Sequence, residues 1–166
     1  NSTISYGTTV AWPMVPGELA ERGNTGMVAG CTAAPGCVAY VGISYLSAAL
    51  AGGLGEAELA TAAGEYVLPT AATIGASVAG FVSSTPTNET ISMVNSPASG
   101  GYPIVNYEYA IVTAKQPSAT KASDIKAFLH WAITAGNSAQ YLGPVRFEPL
   151  PAEVVALSDA QIAKIG

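Results

Sequence analysis

Cys31 and Cys37 are the only cysteines of the chain, and the segment that holds them, GCTAAPGCVAYVG, is the tightest constraint the sequence carries. A structural zinc ion takes about four ligands from paired Cys and His positions. Two cysteines with one distant His130 make a poor set. A thioredoxin-type redox site needs C-x-x-C, which is absent. A nucleophilic cysteine served by His130 and Asp124 is conceivable, yet nothing in the sequence pins those residues together. A covalent staple fits better. Pro35-Gly36 reverses the chain between a short helix and a β-rich run, and such a reversal brings two Cα atoms within disulfide reach. A loop of this size stabilises by about 2 to 2.5 kcal/mol on the chain-entropy estimate. Disulfides persist in oxidising compartments, so an exported protein is expected.

Composition agrees with export and removes whole classes of function. Only 10% of residues are charged, against about 25% in an ordinary soluble domain. The formal net charge is −5 with six Lys/Arg scattered along the chain, which leaves no basic stripe for nucleic acid. No run approaches the roughly 18 uninterrupted apolar residues of a membrane span, although mean hydropathy is +0.36. The apolar stretches are Ala/Gly-heavy, as in close helix–sheet packing. Asn1 carries no initiator Met, signal peptide or lipobox cysteine, so a processed, engineered or truncated start is expected. Sequons stand at Asn1-Ser2-Thr3 and Asn88-Glu89-Thr90, a pattern that also arises by chance.

Along the chain, Thr8 to Trp12 reads as a short strand closed by Pro13. Asn24 is a candidate N-cap for a helix over about 24–33, followed by a strand over 37–42. Ser44 to Ala51 reads as a short helix ended by Gly52-Gly53. Glu56 to Ala63 has helix-forming composition, and Tyr66-Val67-Leu68 is a strand remnant before Pro69. Thr70 caps a helix with Ile74, Val78, Phe81 and Val82 on one stripe. Ile91 to Val94 is a further short strand. NSPASGGYP, Asn95 to Pro103, is a Pro/Gly/Ser connector expected to be exposed and open to proteases.

Beyond the connector, IVNYEYAIVTA over 104–114 is the strongest strand pattern in the chain. Val105, Tyr107, Tyr109 and Ile111 share one face; the other carries Asn106 and Glu108 among apolar residues. A helix with Ile125, Phe128, Leu129, Ala132 and Ile133 in helical register stops at Gly136. A last helix starts near Pro151 and turns Val154, Leu157 and Ile162 inward. Alternating strands and helices make an α/β protein.

Four stretches occur in an order that carries more information than any one of them. They are YGTTVAWPMVPGELAERGNTGMVAGCTAAPGCVAYVGISYL (6–46), SGGYPIVNYEYAIV (99–112), KAFLHWAITAGNSAQYL (126–142) and FEPLPAEVVALS (147–158). Together they resemble the C-terminal half of PstS-type phosphate-binding proteins, the extracytoplasmic receptors of the ABC phosphate importer. The cysteine pair and NYEYAIV are most similar to the mycobacterial lipoprotein branch. The resemblance implies a two-lobed periplasmic-binding-protein-like fold of type II. Residues 1–97 would then lie in the second lobe, 98–103 would be a hinge connector, and 104–166 would return to complete the first lobe. It further implies inorganic phosphate as ligand of the complete protein, and the importer's membrane subunits and the N-terminal half of the same protein as partners. It implies no enzymatic activity and no cofactor, with an extracytoplasmic location, lipid-anchored or secreted.

Phosphate held without a metal calls for convergent N–H and O–H donors, an arginine, and a carboxylate to accept the proton of HPO4²⁻. In the family these come from an early Ser/Thr loop, an Asp and an Arg-Ser-x-x-Ser-Gly-Thr motif, none of which is present here. No residue of this chain is therefore assigned to phosphate, to a metal or to catalysis. Gly7-Thr8-Thr9 mimics the tail of that motif but lacks the Arg and Ser and leads into a strand. Asn24-Thr25-Gly26 is more simply a helix start, and Ser99-Gly100-Gly101 a flexible hinge. Arg22 and Arg146 are expected at the surface, and His130 in surface or partly buried packing. Glu108, mid-strand, is the polar residue without an obvious partner. The competing readings are a small secreted hydrolase using Cys31 or Ser44 with His130, and an adhesion or antigen protein on the same fold. The absence of a G-x-S-x-G elbow weighs against the hydrolase.

Overall fold

The computed structural model describes residues 15–166. The strand expected over 8–12, Gly7-Thr8-Thr9 and the sequon at Asn1 lie outside the described residues. The chain divides into two compact units, Asn1–Leu54 and Gly55–Gly166.

In the first unit, helix α1 (Gly23–Ala33) is followed by a single 3₁₀ turn at Ile43–Tyr45 and by α2 (Leu46–Ala51). Asn24 does not cap α1. Arg22 holds the cap position with no side-chain hydrogen bond, and the Asn24 carboxamide oxygen accepts the Gly42 N–H at 3.0 Å instead. The side chain thus ties the helix start to the returning chain eighteen residues on. The Pro-Gly reversal is present: the Cys37 N–H donates to the Ala34 carbonyl at 3.1 Å, and Gly36 takes φ +77°. A positive φ after proline is the requirement of a type II turn, which glycine meets without strain. Leu46 and Ala49 are the buried side of α2. Residues 37–42 form no strand among the described residues, and Val38 is 96% exposed. Their β-rich composition sets a preference only, since a strand exists through pairing.

The second unit opens with an antiparallel pair, β1 (Leu59–Ala60) and β2 (Tyr66–Val67), in register Leu59↔Val67. The helix-forming composition of Glu56 to Ala63 is overridden here by turn chemistry. Thr61, 7% exposed, accepts the N–H groups of Ala63 and Glu65 on its hydroxyl, each at 3.2 Å. Its own N–H donates to the Glu65 carbonyl at 2.7 Å. A threonine hydroxyl that satisfies local N–H groups favours a turn over a helix.

Helix α3 (Ala71–Ala79) starts as the sequence indicates. Thr70 and Thr73 exchange side-chain and backbone hydrogen bonds in a reciprocal cap. Val78 and Phe81 pack on the core of Met93, Tyr107 and Val154, joined by Ile91, Val105 and Leu150. Helix α4 (Ala119–Ile133) is capped by Ser118, whose hydroxyl accepts the Lys121 N–H at 3.2 Å. A short α5 (Ala139–Leu142) leads to α6 (Ala152–Ile162), with Pro151 at the N-cap and Val154 only 1% exposed. Phe128, expected on the inner stripe of α4, is 64% exposed and stacks on Trp131 at 6.1 Å between ring centroids.

The largest departure concerns strands. Of the two patterns at 91–94 and 104–114, the bridge Val94↔Ile104 is the pairing that forms among the described residues. Beyond it no N–H of residues 105–113 donates a backbone hydrogen bond among the described residues. The described chain is helix-rich with one two-stranded sheet, in place of the regular strand–helix alternation expected. Among the described residues no helix is long and apolar enough to cross a membrane.

Candidate functional site

Two places in the second unit gather polar side chains: the connector over 95–103, and the groove between α4 and α6. The connector departs from the open, flexible segment that its composition indicates. Ser96 is 2% exposed and Ser77, on α3, is fully buried. The Ser77 hydroxyl donates to the Tyr102 carbonyl at 2.6 Å, and the Ser96 hydroxyl donates to the Ser77 carbonyl at 3.1 Å. The Tyr102 N–H donates to the Thr73 carbonyl at 3.0 Å, and the Asn95 N–H to the Pro103 carbonyl at 2.8 Å. On the outer side one Glu65 carboxylate oxygen accepts the Gly100 N–H at 2.9 Å and the Ser99 hydroxyl at 3.4 Å.

Close approach explains two glycines. A Cβ on Gly80 would stand 2.7 Å from the Ser96 Oγ, and one on Gly101 2.7 Å from the Ser77 Oγ. Small residues at 77, 80, 96 and 101 therefore let the loop lie against the helix, where the two buried hydroxyls meet carbonyl partners. These donors are spent on the chain's own backbone, so the arrangement braces the loop. Burial, reinforced by the carboxylate of Glu56, pushes the Tyr102 hydroxyl above its ordinary value of 10.0. Burial likewise raises Tyr109, whose hydroxyl donates to the Glu89 carbonyl at 2.8 Å.

The groove is an open cavity of about 420 Å³ lined by Ser123, Lys126, Ala127 and His130 of α4 and by Asp159, Ile162 and Ala163 of α6. His130 Nε2 lies 4.0 Å from an Asp159 carboxylate oxygen, with both side chains well exposed. An exposed pair at that distance contributes about 0–1 kcal/mol.

The other sequence candidates are not brought together. Cys31 and Cys37 are joined in a disulfide, with Cα atoms 5.3 Å apart, which removes Cys31 as a nucleophile. Ser44 is exposed in the 3₁₀ turn of the first unit, while His130 meets Asp159 and not Asp124. Thr25 donates to the Tyr45 hydroxyl at 3.4 Å. Arg22 and Arg146 are both exposed, and neither forms an ion pair among the described residues. Glu108 is exposed as well. The residues that sequence reasoning missed are Glu65, Ser77 and Ser96. The one legible signal was the spacing of small residues, Ser77 with Gly80 in a helix and Ser96 with Gly101 in the loop.

No protein-family model matches the chain. The curated relatives it matches include phosphate-binding proteins. The chain is 32% identical over 166 aligned positions to phosphate-binding protein PstS of Methanocaldococcus jannaschii, an alignment that covers 93% of this chain and 42% of that protein. It is 34% identical over 137 positions to phosphate-binding protein PstS 3 of Mycobacterium tuberculosis, covering 80% of this chain and 36% of the relative. Phosphate-binding protein PstS of Xylella fastidiosa is 24% identical over 157 positions, covering 95% and 41%. The chain is a PstS-type sequence, and it corresponds to part of a full-length PstS: about two fifths of the curated relatives' length. The helix-rich architecture with its small sheet is part of a periplasmic-binding-protein-like fold.

Proposed function

We propose that the chain is the scaffold-bearing C-terminal half of an extracytoplasmic phosphate receptor, which hands inorganic phosphate to the membrane subunits of an ABC importer. The observation that carries this reading is the match of 93% of the chain, at 32% identity, to a phosphate-binding protein of which it spans 42%. The Cys31–Cys37 disulfide supports an oxidising compartment. In this reading the protein binds and releases its ligand without chemistry, and is either lipid-anchored or secreted.

The phosphate ligands belong to the N-terminal half of the complete protein. What supports this is the fate of the polar groups here: Ser77, Ser96, Ser99 and the Gly100 N–H are engaged between the loop, α3 and Glu65, and both arginines are exposed. The fold is type II, with 1–97 in the second lobe, 98–103 crossing between lobes, and 104–166 completing the first. The crossing is a braced one, held to α3 by Ser77 and to the β1–β2 hairpin by Glu65. Bending then falls at the ends of the brace and not at Ser99-Gly100-Gly101.

The test is equilibrium dialysis of labelled phosphate against the full-length protein. Saturable binding displaced by unlabelled phosphate is the expected result; no saturable binding would refute the reading. The hydrolase alternative loses its cysteine nucleophile to the disulfide.

A further inference from the structure

We infer that Asn88 carries an N-linked sugar in the exported protein, joined to its side-chain nitrogen by a transferase that uses a polyprenyl-phosphate-linked glycan as donor. The inference rests on the extracytoplasmic reading above, since N-linked sugars belong to the surface loops of exported proteins.

The sequence supplies the acceptor. Asn88-Glu89-Thr90 is an N-x-T triplet, with no proline at its middle position or directly after it. Such triplets arise by chance, so its place in the fold is what distinguishes this one. It closes the run SSTPTNET, residues 83–90, which has no hydrophobic side chain beyond Pro86. A run of that kind has little to gain by burial against another segment. Asn88 and Thr90 are both exposed, while Glu89 between them is half-buried.

The inward turn of Glu89 has a visible cause. Glu89 takes φ +59°, a left-handed conformation that a residue with a side chain adopts only when its surroundings hold it there. Three bonds do so. Its N–H donates to the Pro86 carbonyl at 2.8 Å, and its carbonyl accepts the Tyr109 hydroxyl at 2.8 Å. Its carboxylate accepts the Ser158 hydroxyl of α6. Further along α6, the Gln161 carboxamide donates to the Thr87 carbonyl. With the middle residue pinned to α6, the two residues that a sugar transferase must reach stay open to solvent.

The local bonding suits the reaction. The Asn88 side-chain oxygen accepts the Thr90 N–H at 3.2 Å, so the turn uses the oxygen of the carboxamide, whereas the nitrogen takes the sugar. The Thr90 hydroxyl, the group by which the triplet is recognised, donates to the Asn88 carbonyl at 3.4 Å. A bond that long is readily exchanged for one to an enzyme. In the transfer, Asn88 Nδ2 forms a bond to the anomeric carbon of the donor sugar. The bond from that carbon to the phosphate oxygen breaks, the lipid phosphate leaves with the electron pair, and one amide proton passes to a base of the transferase.

The test is made on the full-length protein purified from the cells that naturally produce it. Chymotrypsin cuts after Phe81 and Tyr102, and electron-transfer fragmentation of the peptide over 82–102 locates any added mass. The expected result is a sugar on Asn88 and none on Asn95, which stands outside an N-x-S/T triplet. Asn88→Gln and Thr90→Ala should each lose the modification, whereas Thr90→Ser should keep it. Thr90→Ala retains Asn88 and the residue 90 N–H that bonds to it, so its loss reads recognition of the hydroxyl; circular dichroism checks that each variant is folded. An Asn88 found wholly unmodified in the natural protein would overturn the inference, as would a sugar that persists in Thr90→Ala. Recovery of the protein inside or outside the cytoplasmic membrane reports separately on the extracytoplasmic reading, and phosphate titration of the same sample on the receptor reading. An exported, phosphate-binding protein with a bare Asn88 sinks only the sugar.

Discussion

Replacing Gly101 with alanine places a methyl carbon 2.7 Å from the Ser77 Oγ, 3.1 Å from the Ala98 carbonyl oxygen and 3.2 Å from the Ser77 Cα. Two of these neighbours are backbone and cannot yield cheaply. The third is a fully buried hydroxyl that donates to the Tyr102 carbonyl at 2.6 Å. Rotating it away leaves a buried donor unpaired, which costs about 1–3 kcal/mol. Keeping it forces a backbone shift, and overpacking costs about the same. Against this, alanine restricts the unfolded chain and returns about 0.4–1 kcal/mol. The net expectation for Gly101→Ala is destabilisation by about 1–1.5 kcal/mol, or about 2–6 °C in Tm for a chain of this size. Thermal and urea unfolding followed by circular dichroism measures it. The double variant Ser77→Ala/Gly101→Ala is the sharper control, because removing the hydroxyl relieves the closest contact. The two changes should therefore cost at least about 0.5 kcal/mol less together than the sum of the single variants. A Gly101→Ala protein within about 0.5 kcal/mol of the parent would refute the reasoning, as would additive single changes.

Reduction of the Cys31–Cys37 bond should lower the stability of the first unit by about 2 to 2.5 kcal/mol; alkylation of the unfolded, unreduced chain that labels two thiols would contradict the bond itself. Glu65→Gln weakens the acceptor for the Gly100 N–H, so limited proteolysis within 95–103 should speed up severalfold while secondary structure is retained, and an unchanged cutting rate counts against the brace. Burial raises Tyr102 and Tyr109 above 10.0 in the folded protein. The unfolded chain therefore loses these protons first, and their contribution to stability, complete below pH 10, declines as pH rises through the folded values. Urea midpoints between pH 9 and 11.5 should fall, and less steeply in Tyr102→Phe; identical slopes would rule out the assignment.

What was legible in the sequence was local. Thr70 and Thr73 close a cap within one turn, Pro35-Gly36 sets a reversal within four residues, and α4 and α6 declare themselves by period. Each is decided by neighbours along the chain. The misreadings are relational. Residues 37–42 and 104–114 have the composition of strands, but a strand also needs a second chain segment alongside it. Glu56 to Ala63 has helix-forming composition, yet the hydroxyl of Thr61 decides for a turn. Asn95 to Pro103 reads as loose because its residues are small, yet smallness is what lets it seat against Ser77 and Gly80. The brace was hidden because its members lie far apart in sequence and none is unusual alone. The resemblance to phosphate-binding proteins was visible because it depends on the order of four stretches along the chain, and needs no knowledge of their contacts.

The central claim is that these residues carry the scaffold of a phosphate receptor while its ligands come from the remainder of the protein. Isothermal titration of inorganic phosphate into the 166-residue chain, with the full-length protein titrated in parallel, tests it most directly. The account predicts no heat of binding from the chain alone at tens of micromolar protein, and stoichiometric, saturable binding by the full-length protein. Saturable micromolar or tighter binding by the 166 residues alone would contradict it, and would place the phosphate ligands within this chain.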